Sequence, residues 1–544
     1  MQELSHLQFL GFLKQRKIEI HARNGRLQIS APPGAIDPQL RAELTRRKAE
    51  LLAKLPALER PSAAGDPLLH VANRGRIPQT HAQQGLWLID HFSPGNVAYN
   101  IPEALLVDAP VDLQILQVAV DTLLARHEIL RTSFYEEGGD LFQSVCPDAA
   151  APVEYTDLSM VVEESRNSVL RNLIRQQARR QFDLRRAPLI RFHVFRLSEN
   201  RHAIFFNIHH IIADRRSLTI LRDELSALYA AGLKKEAAQL PELTVQYADY
   251  AIWTANRLAA NGMSDQIEYW KSKLADAPAF LELSFTHPYP QQRTAWGATA
   301  PVFISHPLRE AIREVGTEEA ATMFMALLAA FAVLLYLNSG AEDFCIGSPF
   351  THRNQIETES MVGLFVNMLV FRCQLNRDLN FRQFLRLVRT TALEAYENSD
   401  VPFQELVRTL KHDLRTMRSP LFQVMFGFDS QAEVRQADFE PLDTEPGTAR
   451  FDLTLQLNEQ PDGLSGSFEY CTDLFDAQDI ERMARQFPIL LERIAKQPDL
   501  PLHAFQHLPE GMNAQEATTS ASHRLLDVWG GRINHFMRRL SRRS

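Results

Sequence analysis

The sequence predicts a mixed α/β protein with two lobes, preceded by a small α+β unit. Helical patterns alternate with apolar, strand-like runs from residue 68 to residue 510, which is typical of α/β layers. These roughly 440 residues exceed what one hydrophobic core usually serves, so a division into two lobes is expected. The first residues carry a separate helix–hairpin–helix pattern. We predict these boundaries: a unit at 1–56, a linker at 57–67, a first lobe at 68–245, a second lobe at 246–510, and a linker with a basic tail at 511–544.

Composition and charge exclude several classes of protein. Hydrophobic residues make up 45% and charged residues 23% of the 544 residues, proportions typical of a soluble globular protein. The net charge of -8 argues against nucleic acid as the main partner. The four cysteines lack the spacing of metal ligands, so we expect reduced, buried thiols and no metal site. No basic segment followed by an apolar core opens the chain, so no signal peptide is expected, and we predict a cytoplasmic protein without a membrane partner.

One apolar stretch, Ala320 to Leu337, has almost the length of a membrane span. A helix needs about 20 apolar residues to cross a bilayer, and this stretch is only just long enough. Acidic residues precede it, and Asn338, Ser339 and Gly340 end it without a basic flank. We therefore expect a central helix that is buried on all sides.

The N-terminal unit contains a hairpin signal. Asn24 and Gly25 are a strong turn pair, and apolar residues alternate with polar ones on both sides of them. The exposed edge of such a hairpin can accept an extended peptide by strand addition. A small cap domain that stabilises its neighbour is the alternative.

The same unit resembles the TubC-type N-terminal docking domains of nonribosomal peptide synthetases. The resemblance rests on Phe9-Leu10, on Arg26 to Pro32, and on Arg47 to Leu52. In that family the unit captures the carboxy-terminal tail of the preceding enzyme. The resemblance therefore implies an upstream synthetase or polyketide synthase as partner. The implied docking residues are Ile18, Ile20, Arg26, Leu27 and Ile29.

Several elements of the first lobe can be placed from their patterns. Apolar residues at helical spacing predict a helix over Leu113 to Ala125. Two apolar runs, Leu189 to Leu197 and Ala203 to Ile208, predict strands joined by a turn at Ser198 to Asn200. Leucines from Leu218 to Leu228 mark the helix that follows.

The most informative stretch runs from Asn207 to Asp214. The apolar run before it is typical of a strand buried on both faces. Because successive side chains of a strand alternate, one of His209 and His210 should be held by the interior and the other offered at the strand's end. Asp214 lies beyond the strand, where its carboxylate can turn back to a cation. Two buried, hydrogen-bonded histidines are the alternative, but they explain this combination less well, so we predict a site.

Several motifs in one order make the two lobes resemble the condensation domain of nonribosomal peptide synthetases. The motifs are His81 to Trp87, Ala98 to Pro102, Arg126 to Phe134, His209 to Asp214, Tyr247 to Trp253, Gly363 to Asn367, Asp400 to Phe403, and Arg418 to Phe422. The resemblance implies two chloramphenicol-acetyltransferase-like lobes in a V with a tunnel between them. Donor and acceptor carrier proteins insert phosphopantetheine arms from the two ends, and the chain itself is expected to bind no cofactor.

The resemblance also assigns roles to the central motif. His210 is the catalytic histidine, His209 its structural neighbour, and Asp214 one half of a structural ion pair whose other half is Arg131 or Arg353. An α-ammonium group has a pKa near ~8, so roughly a tenth is free amine at neutral pH. A general base would add about 10²–10⁴-fold, whereas positioning could supply about 7–11 kcal/mol. Both roles of the catalytic histidine stay open.

Three further residues are predicted to line the tunnel: Asn367, Arg215 and Ser217. For Asn367 a satisfied, buried amide is the alternative. Arg215 stands where the family usually has glycine, which removes backbone freedom and adds charge. This leaves open a polyketide donor, impaired activity, or a contact with the phosphopantetheine phosphate. Core packing is the interpretation for Trp87, Trp253, Phe365 and Phe403.

The predicted function is amide formation between a donor acyl thioester and an acceptor aminoacyl thioester, both tethered to carrier proteins. Two alternatives remain. One is an acyltransferase that uses free acyl-coenzyme A or a soluble acceptor, and the other is a catalytically silent docking module. The basic tail from His523 to Ser544 is interpreted as the start of an adenylation domain, a carrier-docking helix, or an unstructured end.

Overall fold

A computed structural model of the protein describes residues 19–23, 26–30, 40, 43–44, 46–47, 51, 67–261, 263–290, 293–410, 419–430, 440–442, 444 and 446–506. At the N-terminus, β1 (Glu19–Arg23) and β2 (Arg26–Ser30) form an antiparallel hairpin with Ile20 opposite Ile29. The hairpin predicted from Asn24 and Gly25 is therefore confirmed. Ile18 lies outside the described residues, and so do the flanking helices in most of their length and the side chains of Ile20, Arg26, Leu27 and Ile29.

The first lobe alternates helices and strands as predicted. Its elements are β3 (Ile77–Pro78), α1 (His81–Phe92), β4 (Asn100–Val107), α2 (Leu113–Arg126), β5 (Thr132–Glu137), β6 (Asp140–Val145), β7 (Val153–Asp157), α3 (Glu163–Ala178), β8 (Ile190–Ser198), β9 (Arg201–His209), α4 (Arg215–Lys234) and α5 (Tyr247–Asn261). The helix predicted over Leu113 to Ala125, the two strands joined by the turn after Ser198, and the helix after the histidines are all present.

The second lobe has its own sheet and helices. Its elements are α6 (Ser264–Leu274), β10 (Gly297–Ser305), α7 (His306–Glu318), α8 (Met323–Ser339), β11 (Asp343–Thr351), β12 (Val366–Gln374), α9 (Phe381–Glu397), α10 (Phe403–Thr409), β13 (Val424–Asp429), β14 (Glu440–Leu442), β15 (Leu453–Gln460), β16 (Gly463–Cys471) and α11 (Ala477–Lys496).

Each lobe is built on one main sheet. The first-lobe sheet has the strand order β14-β4-β9-β8-β7, and the second-lobe sheet has the order β10-β16-β15-β13-β11-β12. β14 comes from the second-lobe part of the chain, yet it pairs antiparallel with β4 of the first lobe. Phe365, which directly precedes β12 of the second lobe, also belongs to the first-lobe core, together with Tyr247 and Tyr250 of α5. The two lobes are thus joined by exchanged segments as well as by contacts.

The apolar stretch after Ala320 forms α8, which lies in the second-lobe core. Its residues from Met325 to Leu335 are all nearly inaccessible to solvent, because the helix is apolar on every face. Thr322 caps its N-terminus, and Gly340 ends it in a left-handed conformation with φ 73°. The prediction of a buried central helix is confirmed. Among the described residues no single helix is long and apolar enough to span a membrane; only α7 and α8 together meet that test, with a bend of 102° between them.

Candidate active site

The predicted histidine pair lies at the end of the middle strand of the first-lobe sheet. β9 runs between β4 and β8, and its last residue, His209, is opposite Asn100. All residues of the strand after Arg201 are buried, as predicted for a strand covered on both faces. A short 3₁₀ turn over His210–Ile212 then breaks the strand. The break turns His210 out of the sheet, while His209 stays within it.

His209 is a neutral structural residue. Its side chain is only 3% exposed, and its Nδ1 accepts a hydrogen bond from the Ile211 N–H at 3.2 Å. The proton of the neutral ring is therefore on Nε2. Burial, together with the smaller effects of the charges on His210 and Arg450, lowers the pKa of His209 to about 3.

His210 has the opposite tautomer. Its Nδ1 lies 2.7 Å from the carbonyl oxygen of Ala213. Because a carbonyl can only accept, Nδ1 carries the proton and Nε2 carries the lone pair. Burial, followed by the charge of Arg450, lowers the pKa of His210 to about 4, against the opposite effects of the Ala213 carbonyl and Asp214. At neutral pH the half-buried ring is therefore uncharged and offers Nε2 as a hydrogen-bond acceptor.

Asp214 and Arg353 form a buried, two-pronged ion pair beside this turn. Arg353 donates from Nη2 to Asp214 Oδ1 at 2.9 Å and from Nε to Asp214 Oδ2 at 3.3 Å. The two side chains are 3% and 5% exposed. Arg353 also donates to the carbonyl oxygens of Met361 and Thr358, and its guanidinium stacks 4.1 Å from the ring centre of Phe365. The planar guanidinium matches the carboxylate geometry, so both partners are held rigidly.

Ser217 completes this buried network. Asp214 caps the N-terminus of α4 by accepting the Ser217 N–H at 2.8 Å, where the helix dipole favours a negative charge. The Ser217 hydroxyl lies 2.7 Å from Asp214 Oδ1 and accepts the Gly363 N–H at 3.0 Å. Ser217 has no exposed surface, and its hydrogen-bonding groups are used within the network. Its predicted contact with substrate is therefore wrong.

The network explains how the position of His210 is set. The Asp214 N–H donates to the Gly363 carbonyl at 3.0 Å, and the same peptide unit supplies the Ala213 carbonyl that orients His210. A side chain at Gly363 would lie 2.0 Å from the ring of Tyr247, so only glycine fits there. The ion pair therefore acts on the histidine through the backbone of the turn.

Arg131 is not part of this ion pair. Its Nε donates to the Leu124 carbonyl at 2.6 Å and its Nη2 to the Ala125 carbonyl at 3.3 Å. It thus satisfies free carbonyl groups in the last turn of α2. Of the two predicted arginines, Arg353 is the partner of Asp214, and the prediction of Arg131 is wrong.

Asn367 holds a loop. Its amide nitrogen donates to the carbonyl oxygens of Ser399 and Val401 at 3.1 and 2.9 Å, and its oxygen accepts the Phe403 N–H at 3.0 Å. Both amide protons are therefore used by the main chain. Asn367 is therefore an amide whose hydrogen bonds are satisfied by the main chain, and not the predicted tunnel contact.

Arg215 joins the two lobes. It is the first residue of α4, and its Nε lies 2.8 Å from Asp429 Oδ2 while its Nη2 donates to Asn458 Oδ1 at 3.1 Å. Asp429 and Asn458 are opposite each other in β13 and β15. Its side chain is 56% exposed. Arg215 therefore points toward the second-lobe sheet, and its guanidinium is paired there.

The sequence did not reveal Arg450. This residue precedes β15, and its Nε donates to the Ala98 carbonyl of the first lobe at 3.0 Å. Ala98 and Tyr99 belong to one of the motifs, but no local pattern around Arg450 indicates that it faces them. Its charge acts on both histidines. Among the described residues, no group of three or more His, Cys, Asp and Glu side chains is arranged to hold a metal ion.

Known proteins resemble the chain in both of its parts. The condensation domain family matches residues 73–515, and the TubC N-terminal docking domain family matches residues 7–56. A linear gramicidin synthase from Brevibacillus parabrevis is 39% identical over 82% of this chain, and phosphinothricin tripeptide synthetase PhsC of Streptomyces viridochromogenes is 32% identical over 83%. The chain spans only 9% and 43% of the lengths of these two relatives.

Solved structures agree on the fold. The X-domain from teicoplanin biosynthesis matches 80% of this chain and 99% of its own length, with a TM-score of 0.74 and 26% identity. The first condensation domain of the calcium-dependent antibiotic synthetase matches 79% of this chain and 98% of its own, with a TM-score of 0.67 and 20% identity. The predicted fold class is thus confirmed. From the family match over most of its length, the chain belongs to the condensation-domain family of nonribosomal peptide synthetases, with a TubC-type docking domain at its N-terminus.

Proposed function

We propose that this protein joins a donor acyl group to an acceptor amino acid, each delivered as a thioester on the phosphopantetheine arm of a carrier protein. The proposal depends on the geometry of His210. Its ring is fixed at the end of β9, because Nδ1 donates to the Ala213 carbonyl, and the lone pair of Nε2 is available. A fixed acceptor of this kind can bind the N–H of an attacking amine.

The proposed reaction needs no outside reagent. The amine nitrogen attacks the thioester carbonyl carbon, and the carbonyl electrons move to oxygen. The carbon–sulfur bond then breaks, the carbonyl re-forms, and the proton lost by nitrogen ends on the departing thiolate. The products are an amide and a free thiol.

His210 acts in this proposal chiefly by orientation. A pKa of about 4 makes the ring a weak proton acceptor, although it keeps the ring in its neutral form at every physiological pH. Because general-base catalysis is most effective when the pKa is near the working pH, the larger contribution comes from a hydrogen bond that places the amine.

The N-terminal unit is the proposed binding site for the upstream partner. Among the described residues, the N-terminal sheet consists of β1 and β2 alone, and an extended peptide can add to the edge of such a sheet. The carboxy-terminal tail of a preceding synthetase or polyketide synthase is the proposed ligand, with Ile18, Ile20, Arg26, Leu27 and Ile29 as contacts. Deletion of residues 1–56 should weaken transfer from that partner but leave transfer from excess isolated carriers unchanged.

A recruitment module is the second candidate. The X-domain from teicoplanin biosynthesis, which was also solved in a complex with OxyB, matches 82% of this chain at 26% identity with a TM-score of 0.73. The retained histidine network favours catalysis instead, because a docking surface alone has no use for a buried ion pair that orients a ring.

The decisive experiment mixes the protein with loaded donor and acceptor carriers and detects the amide by mass spectrometry. His210→Ala should abolish the product while the protein stays folded. His202→Ala is the matched control, since His202 is on the same strand and its Nδ1 also pairs with a carbonyl, that of Ala109. Normal product from His210→Ala would overturn the assigned role, and equal turnover of free acyl-coenzyme A would favour the free-substrate alternative.

A further inference from the structure

Arg450 brings a positive charge to the edge of the histidine site from the second lobe. Its Nε donates to the Ala98 carbonyl, and the guanidinium lies 5.7 Å from the ring centre of Tyr99. In the first-lobe sheet Asn100 is opposite His209. Asn100 follows Tyr99 in the chain, and His210 follows His209, so Arg450 contacts the end of the sheet at which His210 leaves β9.

The guanidinium is held in advance of any substrate. The Arg450 N–H donates to Glu469 Oε1 at 3.3 Å, and the Arg450 carbonyl accepts from Arg293 Nη1 at 3.2 Å. The backbone is thus fixed on both sides, and Nε fixes the head group. Within the described part of the chain, Nη1 and Nη2 have no hydrogen-bond partner, so two donors of a fixed cation remain available.

The tetrahedral intermediate of amide formation carries a negative charge that such a cation would stabilise. When the amine adds to the thioester carbonyl, the oxygen gains a full negative charge, which returns to the carbonyl when the carbon–sulfur bond breaks. Fixed donors aimed at a developing oxyanion are often the largest single contribution to catalysis of acyl transfer. His210 occupies the nitrogen side of this intermediate, and a neutral acceptor cannot serve the oxygen side.

We propose that the terminal nitrogens of Arg450 donate hydrogen bonds to the thioester oxygen and stabilise the oxyanion of the tetrahedral intermediate. This inference rests on the amide-forming function proposed above. The electrostatics agree with the placement, because the charged groups acting on His210 are Arg450, which disfavours its protonation, and Asp214, which favours it.

The test compares Arg450→Met with Arg450→Lys and with a matched control, Arg179→Met. Arg179 makes the same kind of contact between the lobes, since its Nε donates to the Pro446 carbonyl at 3.0 Å and its guanidinium stacks on Trp296. Unlike Arg450, it is not among the main causes of the lowered pKa of either histidine. Arg450→Met should lower kcat by about 10²–10³-fold with little change in KM, Arg450→Lys should recover at least a tenth of the rate, and Arg179→Met should stay within about threefold of wild type.

A second measurement does not depend on turnover. Removal of the positive charge in Arg450→Met should raise the pKa of His210, and NMR of the ring measures this pKa. Arg179→Met should leave the pKa of His210 unchanged. If Arg450→Met does not fold, Arg450→Gln keeps a donor toward Ala98 but no charge and should lose as much rate. A kcat for the neutral variants equal to that of Arg179→Met would overturn the proposal. Absence of product from the wild-type protein would instead overturn the amide-forming function.

Discussion

The buried pair of Asp214 and Arg353 makes the sharpest prediction about stability. Arg353→Met leaves a buried carboxylate without its cation, and Asp214→Asn leaves a buried guanidinium without its anion. Since the two side chains are 5% and 3% exposed, water cannot replace the lost partner. Each single change should therefore destabilise the fold and should also loosen the turn that holds His210.

The magnitude follows from the contacts that are lost. Arg353 donates to Asp214 twice, to Ser217, and to the carbonyl oxygens of Met361 and Thr358. Removal of one partner of a buried pair typically costs about 3–5 kcal/mol, a large part of the roughly 5–15 kcal/mol that stabilises a folded domain. The double variant leaves neither charge unpaired, so it should be less destabilised than the sum of the single variants.

Urea unfolding, monitored by circular dichroism, measures these differences in the free energy of unfolding. The matched control is Arg313→Met, whose guanidinium lies 2.6 Å from Glu459 but is 40% exposed. Such a partly exposed pair should contribute about 1 kcal/mol or less. If Arg353→Met were no more destabilised than Arg313→Met, or if the double variant showed simple additivity, the reasoning that the pair supports the turn would be refuted.

Three further predictions concern the same site. The pKa values of His209 and His210, about 3 and about 4, lie below the ordinary value of 6.5. At a pH between the lowered and the ordinary pKa, the unfolded chain therefore binds more protons than the folded protein. The free energy of unfolding should therefore fall as the pH drops from about 6.5 to about 4, and fall less in His210→Gln; equal urea titration curves for the two proteins would contradict this. Arg215→Gly removes a half-exposed pair with Asp429 and should cost about 1 kcal/mol or less and leave amide formation within about fivefold; a loss above about 100-fold would place Arg215 at the reacting atoms instead. Asn367→Ser should lower stability by about 1–3 kcal/mol through the lost loop hydrogen bonds with KM unchanged, and a selective rise in KM would restore the predicted substrate contact.

Local patterns predicted the elements that carry the site. Apolar runs interrupted by turn residues identified β8 and β9, and the helical spacing of leucines identified α4. These predictions hold because burial and periodicity act on neighbouring residues. The placement of His209 and His210 followed in the same way, since the alternation of a strand separates adjacent side chains.

The direction of polar side chains could not be predicted in this way. Arg131 and Arg353 were equal candidates from chemistry alone, and Arg353, at a sequence separation of 139 residues from Asp214, proved to be the partner. Asn367 and Ser217 have the right chemistry for a substrate contact, but loop carbonyls and the ion pair use their hydrogen-bonding groups. Such partners depend on which loops pack together, and that packing leaves no local pattern.

The sequence by itself determined a two-lobed α/β protein with a histidine pair at the end of a buried strand, because hydrophobic periodicity and turn chemistry are local properties. Only the tertiary structure decided which nitrogen of His210 is free, which arginine holds Asp214, and that Arg450 reaches the site from the other lobe. Hydrogen bonds and charges act over a few ångströms, so their partners are set by the three-dimensional contact of segments far apart in the chain.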